Sequence, residues 1–188
     1  MKKLSKKERQ ELLQKIIEDN PFLTDRELAE RFNVSIQTIR LDRLELGIPE
    51  VRERTKSVAS AYARLRSVNE GEVIGELLEL ELDKYAESYL ETNKEMALQR
   101  SHIIRGHYIF AQANSLAVAV INAKGVLTGS ASIKYHRIVR IGDVIKARAE
   151  VKRKEERKYF IEVRTYRGSE LVFSGDFIMF AQELEEEK

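Results

Sequence analysis

Residues Ile103 to Asn122, IIRGHYIFAQANSLAVAVIN, are apolar around almost the whole circumference of a helix, yet they include Arg105, His107, Gln112 and Asn114. A helix with apolar residues on every face has to be covered on every face. An arginine at its mouth is costly unless something pairs with it. The same polar residues make the stretch a poor membrane span. Whatever this chain folds into must therefore wrap this helix.

A chain of 188 residues fits one large or two small domains. The apolar fraction of 43% supports a real core, and the charged fraction of 34% exceeds the usual quarter. A Lys- and Glu-rich excess of that kind accompanies heat adaptation. The formal charge of +2 says little about partners, but its distribution says more. Residues 1–66 hold 15 Lys/Arg against 11 Asp/Glu, whereas residues 67–100 hold 3 against 9. A basic head followed by an acidic segment implies different neighbours for the two parts. The lack of cysteine excludes disulfides, thiolate metal sites and cysteine nucleophiles. The basic start MKKLSKKERQELL has no apolar core of a signal peptide, so a soluble cytoplasmic protein is expected. The closing ELEEEK reads as a solvated end.

Residues 1–48 read as an all-helical head. Leu12, Leu13, Ile16 and Ile17 recur at helical spacing between Ser5 and Asp19, and Asn20-Pro21 ends that helix. Thr24 with Glu27 three residues on forms a capping box for a short helix, Asp25 to Phe32. Asn33-Val34 is a tight turn, Ser35 caps the next helix, Ile36 to Leu46, and Gly47 ends it. Ile36, Ile39, Leu44 and Leu46 are expected to face the core. Two short helices joined by such a turn make a helix-turn-helix, whose second helix presents its early residues to base edges. Gln37 suits adenine and Arg40 suits guanine. Ser35, Thr38 and Arg43 complete the expected DNA face. The SxxTIRxDxxxL pattern from Ser35 to Leu46 resembles the helix-turn-helix of DeoR-type bacterial repressors.

In residues 49–73, Val51, Thr55, Val58, Tyr62 and Leu65 fall at helical spacing, and Pro49 suits a helix start. This predicts an amphipathic linker helix that is either a plain rigid spacer or a movable one. In the second reading it docks its apolar stripe on the next domain in one state and releases it in another. Arg54 and Lys56 are expected to reach DNA phosphates or the minor groove. Ser67 to Gly71 reads as the hinge.

Residues 74–188 read as strand, strand, buried helix and four more strands. Leu78, Leu80 and Leu82 line one side of the first strand, and Tyr85 to Glu91 alternates as the second, although Ile74 to Leu90 could also pass as a helix. Leu127 to Tyr135 alternates again, as do Ile145 to Lys152, Lys158 to Tyr166 and Leu171 to Phe180. An antiparallel sheet curled round one apolar helix is an α+β layer. The RIVRIGDVIKARAEV run makes it similar to the hotdog fold, whose members pair as dimers and in many cases bind acyl-CoA thioesters.

Hotdog thioesterases of the phenylacetyl-CoA type carry HGGxxxxxAD at the start of the central helix, with the Asp as base or nucleophile. Here Arg105-Gly106-His107 stands at the HGG and Asn114 at the Asp. An amide cannot accept a proton at neutral pH, so no catalytic residue is assigned. It can still hydrogen-bond an acyl group, and Arg105 offers a fork that fits a carboxylate. His102, His107 and His136 have no metal-ligand spacing, so no metal is expected. An acyl-CoA thioesterase with a helical head is the alternative reading.

VSIQTIRLDRLEL, IPEVRER, VIGELLELELD and RGHYIFAQANSLAVAVI together resemble the FapR family, bacterial repressors of fatty-acid and phospholipid biosynthesis genes. The resemblance implies a homodimer on operator DNA, with no cofactor, and malonyl-CoA or malonyl-acyl carrier protein as regulatory ligand. It implies that Arg105, beside Gly106, pairs with the malonyl carboxylate while Asn114 bonds the acyl end from the partner subunit. Leu98 stands where the resemblance implies an aromatic contact. If the linker is movable, amide exchange across residues 51–65 will differ with and without the ligand; identical exchange would leave only the rigid spacer.

Overall fold

The computed structural model describes residues 4–182; the closing ELEEEK lies outside them. The chain divides into two compact units, Met1–Ala59 and Ser60–Lys188.

Local sequence builds the first unit. Ser5 accepts from the Glu8 N–H while the Glu8 carboxylate accepts from the Ser5 N–H, opening α1 (Lys6–Asp19) with a capping box. Thr24 and Glu27 do the same for α2 (Asp25–Phe32). Asn33 takes the left-handed conformation, φ 52°, and turns the chain towards α3 (Ile36–Glu45), which Ser35 caps. Leu13, Ile17, Leu28, Ala29 and Ile39 form the core, with Leu46 packed partly against it.

Two ion pairs fix the rotation of α3. Arg9 reaches Asp42 at 2.6 Å from α1, and Arg43 grips Asp25 at 2.6 and 2.8 Å from the other side. Asp42 and Arg43 are 1% and 3% exposed. With Asp42, Arg43 and Ile39 turned inward, Ile36 and Leu44 point out, 41% and 73% exposed. The expectation that both face the core is thus corrected. Leu44 lies five residues after Ile39, about 140° round the helix, and cannot share its face.

Helix α4 (Val51–Tyr62) follows, and its last turn joins the second unit, where Ala61 is buried and Tyr62 packs partly against the same core. The Tyr62 hydroxyl accepts from the Leu77 N–H at 3.0 Å. The stretch read as a hinge is tethered: the Ser67 hydroxyl donates to the Val118 carbonyl at 2.8 Å, and a 3-10 turn covers Glu70–Glu72.

The sheet of the second unit comprises β1 (Glu76–Glu81), β2 (Tyr85–Glu91), β3 (Gly125–Tyr135), β4 (Val144–Glu155), β5 (Lys158–Arg167) and β6 (Glu170–Gln182). All neighbours are antiparallel, in the order β1-β2-β4-β5-β6-β3. Helix α5 (Gly106–Ala119) packs on β2, β3, β4, β5 and β6. It buries Ile109, Gln112, Ala113, Leu116, Ala117 and Ala119. The α+β layer and the wrapping of the apolar helix are as expected. The helix is shorter than expected, because Ile103 and Ile104 are extended and bridge to Arg140 and Ala97.

In β1 the buried residues are Leu77 and Leu80, not the Leu78, Leu80 and Leu82 stripe. A bulge between Leu77 and Glu79 inserts a residue and breaks the period of two. Just before it, Gly75 has φ +85°, and a Cβ there would lie 2.3 Å from the Tyr89 carbonyl oxygen, so no side chain fits. Across β2, β4 and β5 the excess charge forms a ladder: Lys146 and Arg148 on Glu87, Arg148 and Lys152 on Glu150, Lys152 and Arg164 on Glu162.

The Arg43 bond holds the Asp25 carboxyl below its ordinary value, helped by the charges of Arg40 and Arg54 and opposed by partial burial. A depressed folded value gives stability that is complete above the unfolded value and lost as pH falls through the folded one. Acidification below the ordinary aspartate range should therefore loosen the head. Arg43→Ala should cost on the order of 3 kcal/mol at neutral pH, read as faster amide exchange at Leu28 and Ile39. It should also remove this part of the acid sensitivity.

Candidate functional sites

The first site is the outer face of α3. Its inward arc is occupied by Thr38, Ile39, Asp42, Arg43 and Leu46; its outward arc carries Ile36, Gln37, Arg40, Leu41 and Leu44. Gln37 and Arg40 are therefore presented together. Arg40 is tied only loosely inward, 3.6 Å from Asp25. Ser35 sits at the helix start, where its hydroxyl accepts from the Thr38 N–H at 3.2 Å and meets the Thr38 hydroxyl at 2.9 Å.

Two arginines expected on this surface belong to the interior. Arg43 is committed to Asp25 and to the Ile48 carbonyl, 3.0 Å away. Arg54, 8% exposed, fans its guanidinium over three carbonyls: Pro21 at 2.7 Å, Leu23 at 2.6 Å, and Pro49. Burial pushes the Arg54 guanidinium below its ordinary value, and Arg43 nearby pushes the same way. Both residues shape the head from within, since their donors are used there. Lys56 remains at the surface, 3.9 Å from Glu53.

The second site lies at the mouth of α5. Arg105 is its N-cap residue, and its backbone N–H donates to the Met96 carbonyl at 2.9 Å. Its guanidinium folds back over the turn Lys94–Met96, donating to the Glu95 carbonyl at 2.5 Å and to the Tyr108 hydroxyl at 3.1 Å. It also lies 5.1 Å from the centre of the Tyr108 ring. Among the described residues no carboxylate pairs with it, so this half-buried cation holds only neutral acceptors.

Beside it, Gly106 carries no side chain because Tyr135 needs the space: a Cβ would come 2.9 Å from the Tyr135 ring. The Tyr135 hydroxyl donates to the Gly106 carbonyl at 2.9 Å. Gly106, Ile104, Ile109, Tyr135, Arg137 and Ile138 help line an apolar cavity of about 200 Å³. Leu98 is 49% exposed at the approach to this turn, bonded through its backbone to Ile103 and His102. Sequence reading missed Tyr135, which it placed at the far end of another strand, and Ile138, which it placed in no element; the small residue at Gly106 was the one signal that something crosses there.

Asn114 lies nine residues after Arg105, about 13.5 Å along the axis. Its side-chain oxygen accepts from the Thr128 hydroxyl at 2.8 Å, next to the bulge at Gly129 in β3. The two residues expected at one ligand are thus well separated along α5 within one chain. Gln112, whose role the sequence left open, is fully buried, and its amide donates to the Ser88 hydroxyl at 3.2 Å. Among the described residues no group of three or more His, Asp or Glu could hold a metal ion, and no helix is long and apolar enough to cross a membrane.

A helix-turn-helix head followed along the chain by a hotdog-like domain is the architecture of a transcriptional regulator. The thioesterase superfamily model matches residues 102–173. Transcription factor FapR of Bacillus cereus (strain B4264) is 51% identical over 183 residues, covering 95% of this chain and 93% of the relative. That of Bacillus anthracis (strain CDC 684 / NRRL 3495) matches to the same extent. The chain belongs to the FapR family of transcription factors. Solved structures agree on the fold. An uncharacterized protein from Pyrococcus horikoshii, 28% identical, superposes with a TM-score of 0.57 over 60% of this chain and 86% of its own. A sigma28-regulated virulence protein from Campylobacter jejuni, 23% identical, reaches 0.64 over 71% and 95%. A hypothetical thioesterase with coenzyme A from Streptococcus pneumoniae, 15% identical, reaches 0.53 over 72% and 98%.

Interior and surface roles separate cleanly in one experiment. Arg54→Ala should destabilise the head by about 2–3 kcal/mol, since it strips three carbonyls of a charged donor. Lys56→Ala should leave the unfolding midpoint unchanged. Equal midpoints for the two variants in urea would show that the Arg54 fan contributes nothing.

Proposed function

We propose that this protein is a cytoplasmic repressor of fatty-acid and phospholipid biosynthesis genes. It binds operator DNA as a homodimer and is released by malonyl-CoA or malonyl-acyl carrier protein. Membership of the FapR family supports the class. The observation that carries the ligand is Arg105: a half-buried guanidinium with no carboxylate partner among the described residues, at the mouth of the central helix and beside an apolar cavity. A cation so placed favours an incoming anion with two oxygens. To meet one, it exchanges the Glu95 carbonyl and the Tyr108 hydroxyl for the ligand carboxylate. The apolar walls suit the uncharged part of an acyl chain.

The length of α5 argues for two subunits at each ligand. A malonyl group is far shorter than the separation of Arg105 and Asn114, so one chain cannot clasp both of its ends. Two chains placed side by side with α5 antiparallel bring Arg105 of one towards Asn114 of the other. The edge strand β3 offers the surface for this pairing: Leu127, Ile133 and Tyr135 are 60%, 39% and 46% exposed on an eleven-residue strand with one free edge. Long apolar edges of this kind are covered in stable proteins. At the head, Gln37 and Arg40 face the bases, Ser35 and Thr38 fix the helix start, and Lys56 meets phosphate.

The match to the thioesterase superfamily favours one other reading, hydrolysis of an acyl-CoA. Asn114 at the position of the catalytic carboxylate argues against it. Incubation with malonyl-CoA and acetyl-CoA, with release of free thiol as the readout, should show no turnover.

DNA-binding anisotropy on a labelled promoter fragment, with malonyl-CoA and acetyl-CoA titrated in parallel, tests the proposal. Malonyl-CoA should release the DNA and acetyl-CoA should not. An arginine–carboxylate bond contributes roughly 1.5–3 kcal/mol, so Arg105→Ala should need about tenfold or more malonyl-CoA for release. Release of that variant at the unchanged dose would remove Arg105 from the ligand site, and failure to bind DNA at low salt would remove the repressor reading.

A further inference from the structure

The outward arc of α3 is not the polar surface that a solvated helix presents. Its middle is Leu44, 73% exposed, flanked by Gln37 and by Leu41, 52% exposed. Large side chains this open, three residues apart on one stripe, bury little within the head. They are not accidents of a loosely held helix either. Asp42 and Arg43, which lie between them in sequence, are locked inward by two-pronged ion pairs to Arg9 and Asp25, so the rotation that exposes Leu41 and Leu44 is enforced.

The occupant of this stripe follows from its neighbours. Gln37 and Arg40 lie on the same arc; Gln37 offers the donor and acceptor that match an adenine edge, and Arg40 the paired donors that match a guanine edge in a major groove. The other apolar feature of that groove is the thymine C5-methyl group, which stands out from the base-pair edge and takes apolar contact. A stripe that sets two leucines beyond two purine-matching polar groups fits a groove in which thymines lie next to purines. A protein partner would gain from the leucines but would have to bury Arg40 and Gln37 beside them.

We propose that Leu41 and Leu44 are specificity residues that read thymine methyl groups in the major groove, so that the head selects T over C, and over U, at the positions they cover. This rests on the DNA-binding reading above and adds which base atoms are read. Burying one methyl contributes about 0.8 kcal/mol, or about fourfold in affinity. Both side chains are exposed, so replacing them leaves the head folded.

The test needs no prior operator. A binding site is selected from a random duplex library with the full-length protein. The winning duplex is then made in two forms, with thymine and with uracil, which differ only in the C5-methyl. The wild-type protein should bind the uracil duplex about fourfold more weakly for each methyl contacted. Leu41→Ala/Leu44→Ala should bind the two forms alike, with unfolding in urea unchanged. Equal affinity of the wild type for both duplexes would overturn the inference while leaving the repressor reading intact, as would a preference that survives in the double variant. Failure to select any duplex would overturn both.

Discussion

One helix that is apolar on every side sets the terms for the second unit of this protein. Burying α5 takes five strands, because a helix exposes a full cylinder and a flat sheet covers only part of it. The sheet therefore has to curl, and the antiparallel order β1-β2-β4-β5-β6-β3 lets it do so by short hairpins from β4 to β6. The same enclosure makes the ends of the helix the natural places for chemistry. Its flanks are sealed by Leu116, Ala113 and Ala117 against the strands. At the N-terminal mouth, by contrast, Arg105 and Gly106 meet Tyr135 and an apolar cavity. The candidate site lies where the wrapping stops.

Charge is used differently in the two units. In the head, Asp25, Asp42, Arg9, Arg43 and Arg54 carry structural work: each fixes how one short helix is rotated against another. A three-helix unit with few core residues benefits from such pins, since its apolar contacts alone leave the rotation loosely specified. In the sheet, the ladder from Glu87 to Arg164 lies on the outer face. Lys152 and Arg148 pull the Glu150 carboxyl down to about 2. Arg105, like Arg54 in the head, is a cation satisfied by neutral groups, but it stands at the mouth of an apolar helix. In a chain this rich in carboxylates, that is an informative choice of partners.

Most of the fold could be read in advance because its signals are local. The capping boxes at Ser5 and Thr24, the left-handed Asn33 and the alternation in β2, β4 and β5 each specify their element within a few residues. The errors have non-local causes. Leu44 was placed in the core because apolar residues usually go there, and nothing in its immediate neighbourhood reveals that Asp42 and Arg43 find partners in α1 and α2. Arg54 looks like a phosphate-seeking residue until Pro21 and Leu23 arrive beneath it. The bulge at Leu77 breaks a period that the sequence ELLELEL leaves ambiguous. At the α5 mouth, Arg105, Gly106 and Asn114 were visible as a motif, whereas Tyr135 and Ile138 reach the site only through the sheet.

The position of β3 has a bearing on how the molecule is made. This strand directly follows α5 in sequence, yet among the described residues it pairs only with β6, the last strand. During synthesis the head carries its own core and is complete early. The sheet, in contrast, cannot place its third strand until the chain is nearly finished. For that interval the apolar residues of β3 have no neighbour, and the helix they help cover is open on one flank. Pairing this distant in sequence is slow, and an open edge is prone to wrong partners. The open edge that the finished domain presents at β3 and its exposure to misassembly during synthesis therefore come from the same strand order.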